Sequence, residues 1–351
     1  MLYVGLDYHT KQSQVAILDE HGQVVMETKV ETEWGLPKLM RDLPDEARVL
    51  FEAGYGWPRL VRILEGIPVE LVMCHPVENR KIATDRRKSD KRDARNLAVY
   101  LMTGTYKGVY MSPEDVRTQR QLVRSRACMS RHVTMAKNGI HGLLGYAGVP
   151  KQTGDIFTKK RREFLENVEL PEEVREILNI DLKLLDMQDE LMSELDKRIV
   201  QMNRNDPTAK LLKTIPGVGD FTARMIIAQV GDIRRFPSDK SFACYCGLTP
   251  GQRQSSDTVR MMGISKEGSS MLRWCLVQSS WIAIRMDPAL REFYESLQSR
   301  KDSCTAICAV ARKLAVAVWH IMTKQVPYKA RKPKSEGNPV VPPGKSTRKR
   351  R

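Results

Sequence analysis

The stretch LYVGLDYHTKQSQVAILDEHGQVVMETKV, residues 2–30, decides the fold. Leu2 to Asp7, Gln12 to Glu20 and Gln23 to Val30 read as consecutive strands, and His21-Gly22 is a short turn suited to a hairpin between the last two. Three such strands make an antiparallel opening. The pattern then changes to alternation. An amphipathic stretch at Leu36 to Leu43 leads to an apolar strand, Val49 to Glu52, then a helix, Pro58 to Glu65, a strand, Val69 to Cys74, and helical sequence through Tyr100. Antiparallel strands followed by helix–strand units are the ribonuclease-H-like order, which predicts an α/β domain over residues 1–112.

Residues 113–205 carry no strand signals and read as helical. Leu178, Leu185, Met192 and Ile199 recur every seventh residue, with Leu195 and Met202 between them, which predicts a coiled-coil insert. An ordinary helical hairpin packing on its own domain has the same spacing. Asn205-Asp206-Pro207 marks a boundary, after which a mostly helical region runs over 206–328. Residues 329–351 hold nine basic residues against one acid, Glu336, and are interrupted by Pro333, Pro339, Pro342 and Pro343, so they read as a disordered basic tail. Such a tail is either solvated or an arm that adds salt-dependent phosphate contacts.

Charge narrows the function. The 351 residues include 58 Lys+Arg and 42 Asp+Glu, a net +16, which makes a polyanion the natural partner and a small neutral substrate a poor one. With 41% hydrophobic and 28% charged residues the chain is a folded globular protein. No apolar run reaches the ~18 residues of a membrane span. The nearest, Ala306 to Met322, is broken by Arg312 and Lys313. With no signal peptide, the expectation is a cytoplasmic protein without a membrane partner. Seven scattered cysteines suggest reduced thiols. Cys244 with Cys246, or Cys304 with Cys308, could begin a zinc site, but histidine is absent from 142 to 319 and no second ligand pair lies at the usual spacing.

Four carboxylates stand out. On the first strand Tyr3, Gly5 and Asp7 share one face, and Glu52 ends the run Val49-Leu50-Phe51, so both acids emerge from buried strands. Burying an isolated anion costs several kcal/mol unless a positive group compensates. Asp90 and Asp93 lie three apart in helical sequence, which puts them on one face. A convergent set of this kind holds magnesium, or manganese, for phosphodiester chemistry. Singly, each has a simpler reading: Asp7 as a turn cap, Glu52 as a partner of Arg80, and Asp90 and Asp93 as salt-bridge partners of Lys88, Lys91, Arg92 and Arg95. Actin-like sugar kinases open similarly, but they need a glycine turn after the first aspartate, where this chain has Tyr8-His9-Thr10.

Gly5-Leu6-Asp7, Phe51-Glu52-Ala53-Gly54, Lys88-Ser89-Asp90-Lys91-Arg92-Asp93-Ala94, Ile215-Pro216-Gly217-Val218-Gly219 and Gly247-Leu248-Thr249-Pro250 occur in order and spacing that resemble the bacterial insertion-sequence transposases of the one-ten type. The resemblance covers nearly the whole chain except the tail. It implies a RuvC-like domain with an Asp-Glu-Asp-Asp magnesium site, a coiled-coil segment, and a C-terminal transposase domain with a serine nucleophile. It also implies an element-encoded noncoding RNA that pairs with donor and target DNA. The assembly it points to is a homo-oligomer, dimer or tetramer, in which the carboxylates of one subunit meet the serine of another.

The family's serine lands on Ser255, five residues beyond Pro250. Where the family often has glycine next, this chain has Ser256, so either hydroxyl fits. No histidine is near in sequence to act as base, which leaves Arg253, Arg260, Lys266 and Arg273 as the local cations. Gly217 and Gly219 form a turn that exposes backbone N–H groups to a phosphate, or else a tight helix connection with no ligand. Met261 to Met271 reads as a basic loop before a helix, and Trp274, Trp281 and Trp319 as core residues. Two other functions start from the same residues. One is a RuvC-like metal nuclease in which water attacks, and the other is a nucleic-acid-binding scaffold whose acids form salt bridges.

Overall fold

The structure, a computed structural model, describes residues 1–44, 46–76, 89–255 and 258–330, with the backbone alone at 252–255 and 258–262. Arg80, Lys88, Ser256 and nearly all of the basic tail lie outside the described residues. The chain divides into two compact units, Met1–Ser112 and Pro113–Arg351.

Unit one is built on a five-stranded sheet. Strands β1 (Tyr3–Asp7), β2 (Gln12–Leu18) and β3 (Val24–Glu31) are antiparallel neighbours, and β4 (Arg48–Glu52) and β5 (Glu70–Cys74) continue in parallel from β1, in the order β3-β2-β1-β4-β5. This is the ribonuclease-H-like order. The β2–β3 turn forms because Gly22 takes φ +79° and the Asp19 carboxylate accepts from the backbone N–H of both His21 and Gln23. Val4, Leu6, Val15, Ile17, Val49 and Phe51 form one buried face with residues of helices α1 (Gly35–Arg41) and α2 (Trp57–Ile63). On the opposite face Leu50 and Cys74 pack with Leu97 and Leu101 of α3 (Asp90–Thr103).

Helix α3 reaches unusually close to β1. A Cβ added at Gly5 would lie 1.9 Å from the Ala94 carbonyl oxygen and 2.4 Å from the Ala98 amide nitrogen. Ala94 and Ala98 sit on the same helical row as Asp90, so the small residues that let the helix approach also set where its first turn ends up.

Among its described residues, unit two is helical apart from one ribbon. Helices α4 (Glu114–Tyr146) and α6 (Glu172–Arg204) form an antiparallel hairpin, linked by the short α5 (Arg162–Asn167). Arg126 of α4 pairs with Asp196 of α6, and Ser130 meets Met192 at 3.7 Å, so chain direction reverses across the seam. Leu178 and Leu185 are buried with Ile140 and Leu144, and Ile199 with Val123, so the seven-residue repeat is filled by α4 of the same chain. The mostly helical remainder comprises α7 (Pro207–Leu212), α8 (Asp220–Val230), α9 (Asp239–Tyr245), α10 (Ser270–Met286), α11 (Pro288–Gln298) and α12 (Ser303–Lys324) around one core.

Two expectations change. Pro250–Ser255 and Thr258–Ile264 pair as an antiparallel ribbon, β6 and β7, so Met261 to Ile264 belongs to a strand and not to a loop. The β-branched Thr258 and Val259 at the start of β7 favour that geometry. Trp319 donates to the Phe236 carbonyl and Trp281 packs on Tyr294, but Trp274 is 40% exposed, at the edge of Phe221. Helix α12 has the length and hydropathy of a membrane span, yet Val310, Leu314 and Val318 are fully or almost fully buried in the core of unit two.

Gly5→Ala should lower the melting temperature by several degrees, because the added methyl drives backbone from backbone, and overpacking of this kind costs about 1–3 kcal/mol. Thermal denaturation of the full chain checks this, and an unchanged profile contradicts the close approach.

Candidate metal centre

Asp7 ends β1. The parallel register that pairs Tyr3 with Arg48 and Leu6 with Phe51 runs out at Asp7 and Glu52, which therefore stand at the ends of neighbouring strands. Helix α3 starts beside them. Ser89 caps it by accepting from the Arg92 amide at 3.3 Å, which fixes Asp90 and Asp93 in its first turn, where the helix dipole favours negative charge. Lys91 and Arg95 reach across to Glu27 of β3, with Lys91 at 2.9 Å, so two cations that could have paired with the aspartates are directed to the sheet instead.

Asp7, His9 and Asp90 each bring one ligand atom within 4.8 Å of the other two. His9 Nε2 is 3.2 Å from Asp7 Oδ2. Burial pushes the Asp7 carboxyl above its ordinary value. His9 pulls it back, and the charges of Asp90 and Asp93 add to the upward push. Burial likewise raises the hydroxyl of Tyr100 on α3, as do the charges of Asp93 and Glu52. The four acids thus come to one end of the sheet, with Asp7 and Asp90 in direct reach of a shared ion. The donors are hard oxygens around an anion that burial destabilises, a set that fits a divalent cation. Along its side runs an open groove of about 610 Å³, bounded by His9, Lys11, Gln12, Lys29, Glu31 and Asp90. Exposed Lys11 and Lys29 there suit a phosphodiester backbone.

The place of His9 is not evident in the sequence, because a single imidazole beyond a strand end has no pattern of its own. The available signal is parity, since residues 7 and 9 of an extended chain point to the same side.

Two family profiles match the chain. One, described as a transposase of the DEDD type, covers residues 4–147 and so includes all four acids. The other, described as "Transposase IS116/IS110/IS902 family", covers residues 209–295. The chain belongs to this family of transposases. It is 24% identical to the transposase for insertion sequence element IS1328 of Yersinia enterocolitica, over 92% of this chain and 96% of that protein. It is also 24% identical to the transposase for IS1111A of Coxiella burnetii, over 93% and 91% of the two chains. The protein is accordingly an enzyme that cuts and rejoins DNA.

In this transposase Ser255 is the last residue of β6, paired in register with Thr258, and Arg253 pairs in register with Arg260. Lys266 is exposed and takes φ +57°. Its carbonyl accepts from Arg273 at 3.2 Å, so Arg273 braces the segment before α10. Gly217 takes φ +82°, and a Cβ there would lie 2.3 Å from the Ser279 carbonyl oxygen of α10, so packing alone accounts for that glycine. Gly219 caps α8 with open space around it, while Asp220, at the start of the same helix, holds Lys213 at 2.8 Å and Asn203 at 2.9 Å. All seven cysteines are free thiols, and burial pushes Cys246 and Cys275 up to about 12. Among the described residues, Asp7, His9 and Asp90 are the metal-competent group of three, and no cysteine joins one.

The raised Asp7 sets the sign of a prediction. A carboxyl whose folded-state pKa exceeds its unfolded value opposes folding once ionised, so stability falls as pH rises through that raised value. Asp7→Asn removes the charge at similar volume. It should abolish DNA cleavage while holding the melting temperature at neutral pH level or raising it by about 1–4 °C. A clear loss of stability would show that the Asp7 charge supports the fold.

Proposed function

We propose that this transposase of the bacterial cytoplasm cuts DNA strands with Ser255 as nucleophile, assisted by a divalent ion held by Asp7, Glu52, Asp90 and Asp93, and directed by a structured guide RNA. The carrying observation is that Asp7 and Asp90 lie within reach of one ion, with Glu52 at the neighbouring strand end and Asp93 in the same helical turn as Asp90, beside a groove with two lysines. The ion, magnesium or manganese, would supply charge stabilisation for the attacking and leaving oxygens. Attack by the Ser255 hydroxyl on phosphorus forms a phosphoserine bond and releases a 3′ or 5′ hydroxyl strand end. The bond's energy is retained for rejoining, so no nucleotide triphosphate is consumed. Arg253, Arg260, Lys266 and Arg273 are cations near in sequence, suited to offset charge on the phosphate, and Gly219, with open space around it at the start of α8, would let a backbone phosphate approach. The net +16 and the basic tail favour DNA and RNA as partners through phosphate contacts.

Ser255→Ala should bind DNA and RNA with wild-type affinity yet give no covalent adduct on a nicked substrate, whereas Ser256→Ala should retain adduct formation. Peptide mapping by mass spectrometry decides between the two hydroxyls. Cleavage by both variants, with no adduct in the wild type, would favour a nuclease that uses water.

We also place self-association on α6, in place of the repeat that α4 already fills. Ile177, Ile180, Leu184, Met187 and Leu191 follow a 3-4-3-4 spacing on another face of the helix and are 42–65% exposed. That spacing is the seam of a coiled coil with a second chain. Leu184→Glu with Met187→Glu should yield folded protein of monomer mass in light scattering that binds nucleic acid but does not recombine it. An unchanged mass would move the interface elsewhere.

A further inference from the structure

We infer that His9 is a ligand of the divalent ion, adding an imidazole nitrogen to the carboxylate oxygens so that the centre favours manganese over magnesium. The inference rests on the reading of Asp7, Glu52, Asp90 and Asp93 as a cation site, and it adds a ligand of different chemistry to that site.

Geometry comes first. Adjacent ligand atoms on one octahedral ion at ~2.1 Å are separated by about 3 Å. His9 Nε2 and Asp7 Oδ2 are 3.2 Å apart, and Asp90 completes a triangle within 4.8 Å. The three side chains thus require only small rotations to meet at one point.

The second observation is how firmly His9 is held. Its carbonyl oxygen lies 2.8 Å from the Thr32 hydroxyl and 3.3 Å from the Ser13 hydroxyl, and its amide donates to Ser13 Oγ at 3.3 Å. The two hydroxyls are themselves 2.9 Å apart, and both residues are fully buried. Buried hydroxyls are unfavourable unless hydrogen-bonded, and here the bonds they make are directed to the backbone of the residue two beyond Asp7. The segment after β1 is therefore pinned while the imidazole stays 55% unburied beside the acids. A histidine that only paired with Asp7 would not need its backbone fixed by two buried side chains. A ligand does, because its affinity depends on pre-set position.

Chemistry supplies the preference. Magnesium binds oxygen almost exclusively, whereas manganese accepts imidazole readily, so one nitrogen donor shifts the balance between them.

The test uses the full chain loaded with manganese. Electron spin-echo envelope modulation should detect nitrogen coupling in the wild type that disappears in His9→Ala. By calorimetry manganese affinity should fall at least about tenfold in that variant, and magnesium affinity by a markedly smaller factor. Thr32→Val, which keeps the buried volume but loses the hydroxyl, should weaken manganese binding without removing the nitrogen signal. Nitrogen modulation that persists in His9→Ala, or that is absent from the wild type, overturns the inference. Asp7→Asn separates the two levels. If it leaves both metals bound as before, the carboxylate site itself is misread. If it abolishes binding while His9→Ala changes nothing, the error is confined to His9.

Discussion

The approach of α3 to β1 at Gly5 is the constraint on which unit one turns. Ala94 and Ala98 press their backbone onto a position that has room for no side chain. From there two regular periodicities take over. Along the strand, Asp7 lies two residues beyond Gly5 on the same face. Along the helix, Asp90 lies four residues before Ala94 on the same row, so the strand's end meets the helix's start. A helix pushed outward, as an alanine at residue 5 would require, carries its first turn away from the strand. The acids are placed by backbone packing, which is rigid, and not by loops, which are not.

Much of this is legible in the sequence because the relevant patterns are local. The alternation in Leu2 to Asp7 assigns Asp7 its face, the run Val49-Leu50-Phe51 assigns Glu52 to a strand end, and the three-residue spacing of Asp90 and Asp93 puts them on one helix face. The close contact at Gly5 is not legible, because a glycine in a strand is equally consistent with a bulge or a bend. Nor is the destination of Lys91 and Arg95. Both neighbour the aspartates in sequence, but their partner, Glu27, comes from a strand more than sixty residues earlier. The seven-residue repeat in α6 does mark a seam. What fills a seam is a question of topology, and the answer lies in α4, whose own apolar pattern is diluted by arginines.

Unit two depends on a different kind of contact. Arg224 of α8 is almost wholly buried, which would be prohibitive for an unpaired guanidinium. It is satisfied by Asn203 at 2.8 Å and the Met202 carbonyl at 3.1 Å from α6, by Gln119 at 3.1 Å from α4, and by Asp206 at 3.0 Å before α7. One planar cation therefore ties both arms of the hairpin to the helical core. Arg120 repeats the device by donating to the carbonyls of Ala228 and Gln229 at the end of α8. The hairpin accordingly shares one compact unit with α7 to α12, although Asn205-Asp206-Pro207 has the composition of a boundary. The Asp206 that looks like a linker residue in sequence is both the cap of α7 and the counter-ion of Arg224.

The two units thus handle buried charge in opposite ways. Arg224 is neutralised by partners that folding supplies, so its cost is met once and permanently. Asp7 is left with its carboxyl pushed up by burial and by Asp90 and Asp93, and with a histidine that offsets only part of this. Natural folds retain an uncompensated charge of that kind where a ligand completes it. An ion that binds the folded centre and not the unfolded chain stabilises the fold by mass action, so metal binding and the stability of unit one are linked. The burial and repulsion that raise the Asp7 carboxyl are the same terms that favour a cation beside it. A lysine beside Asp7 would neutralise the same charge permanently, as the partners of Arg224 do, and would leave no charge for a ligand to complete.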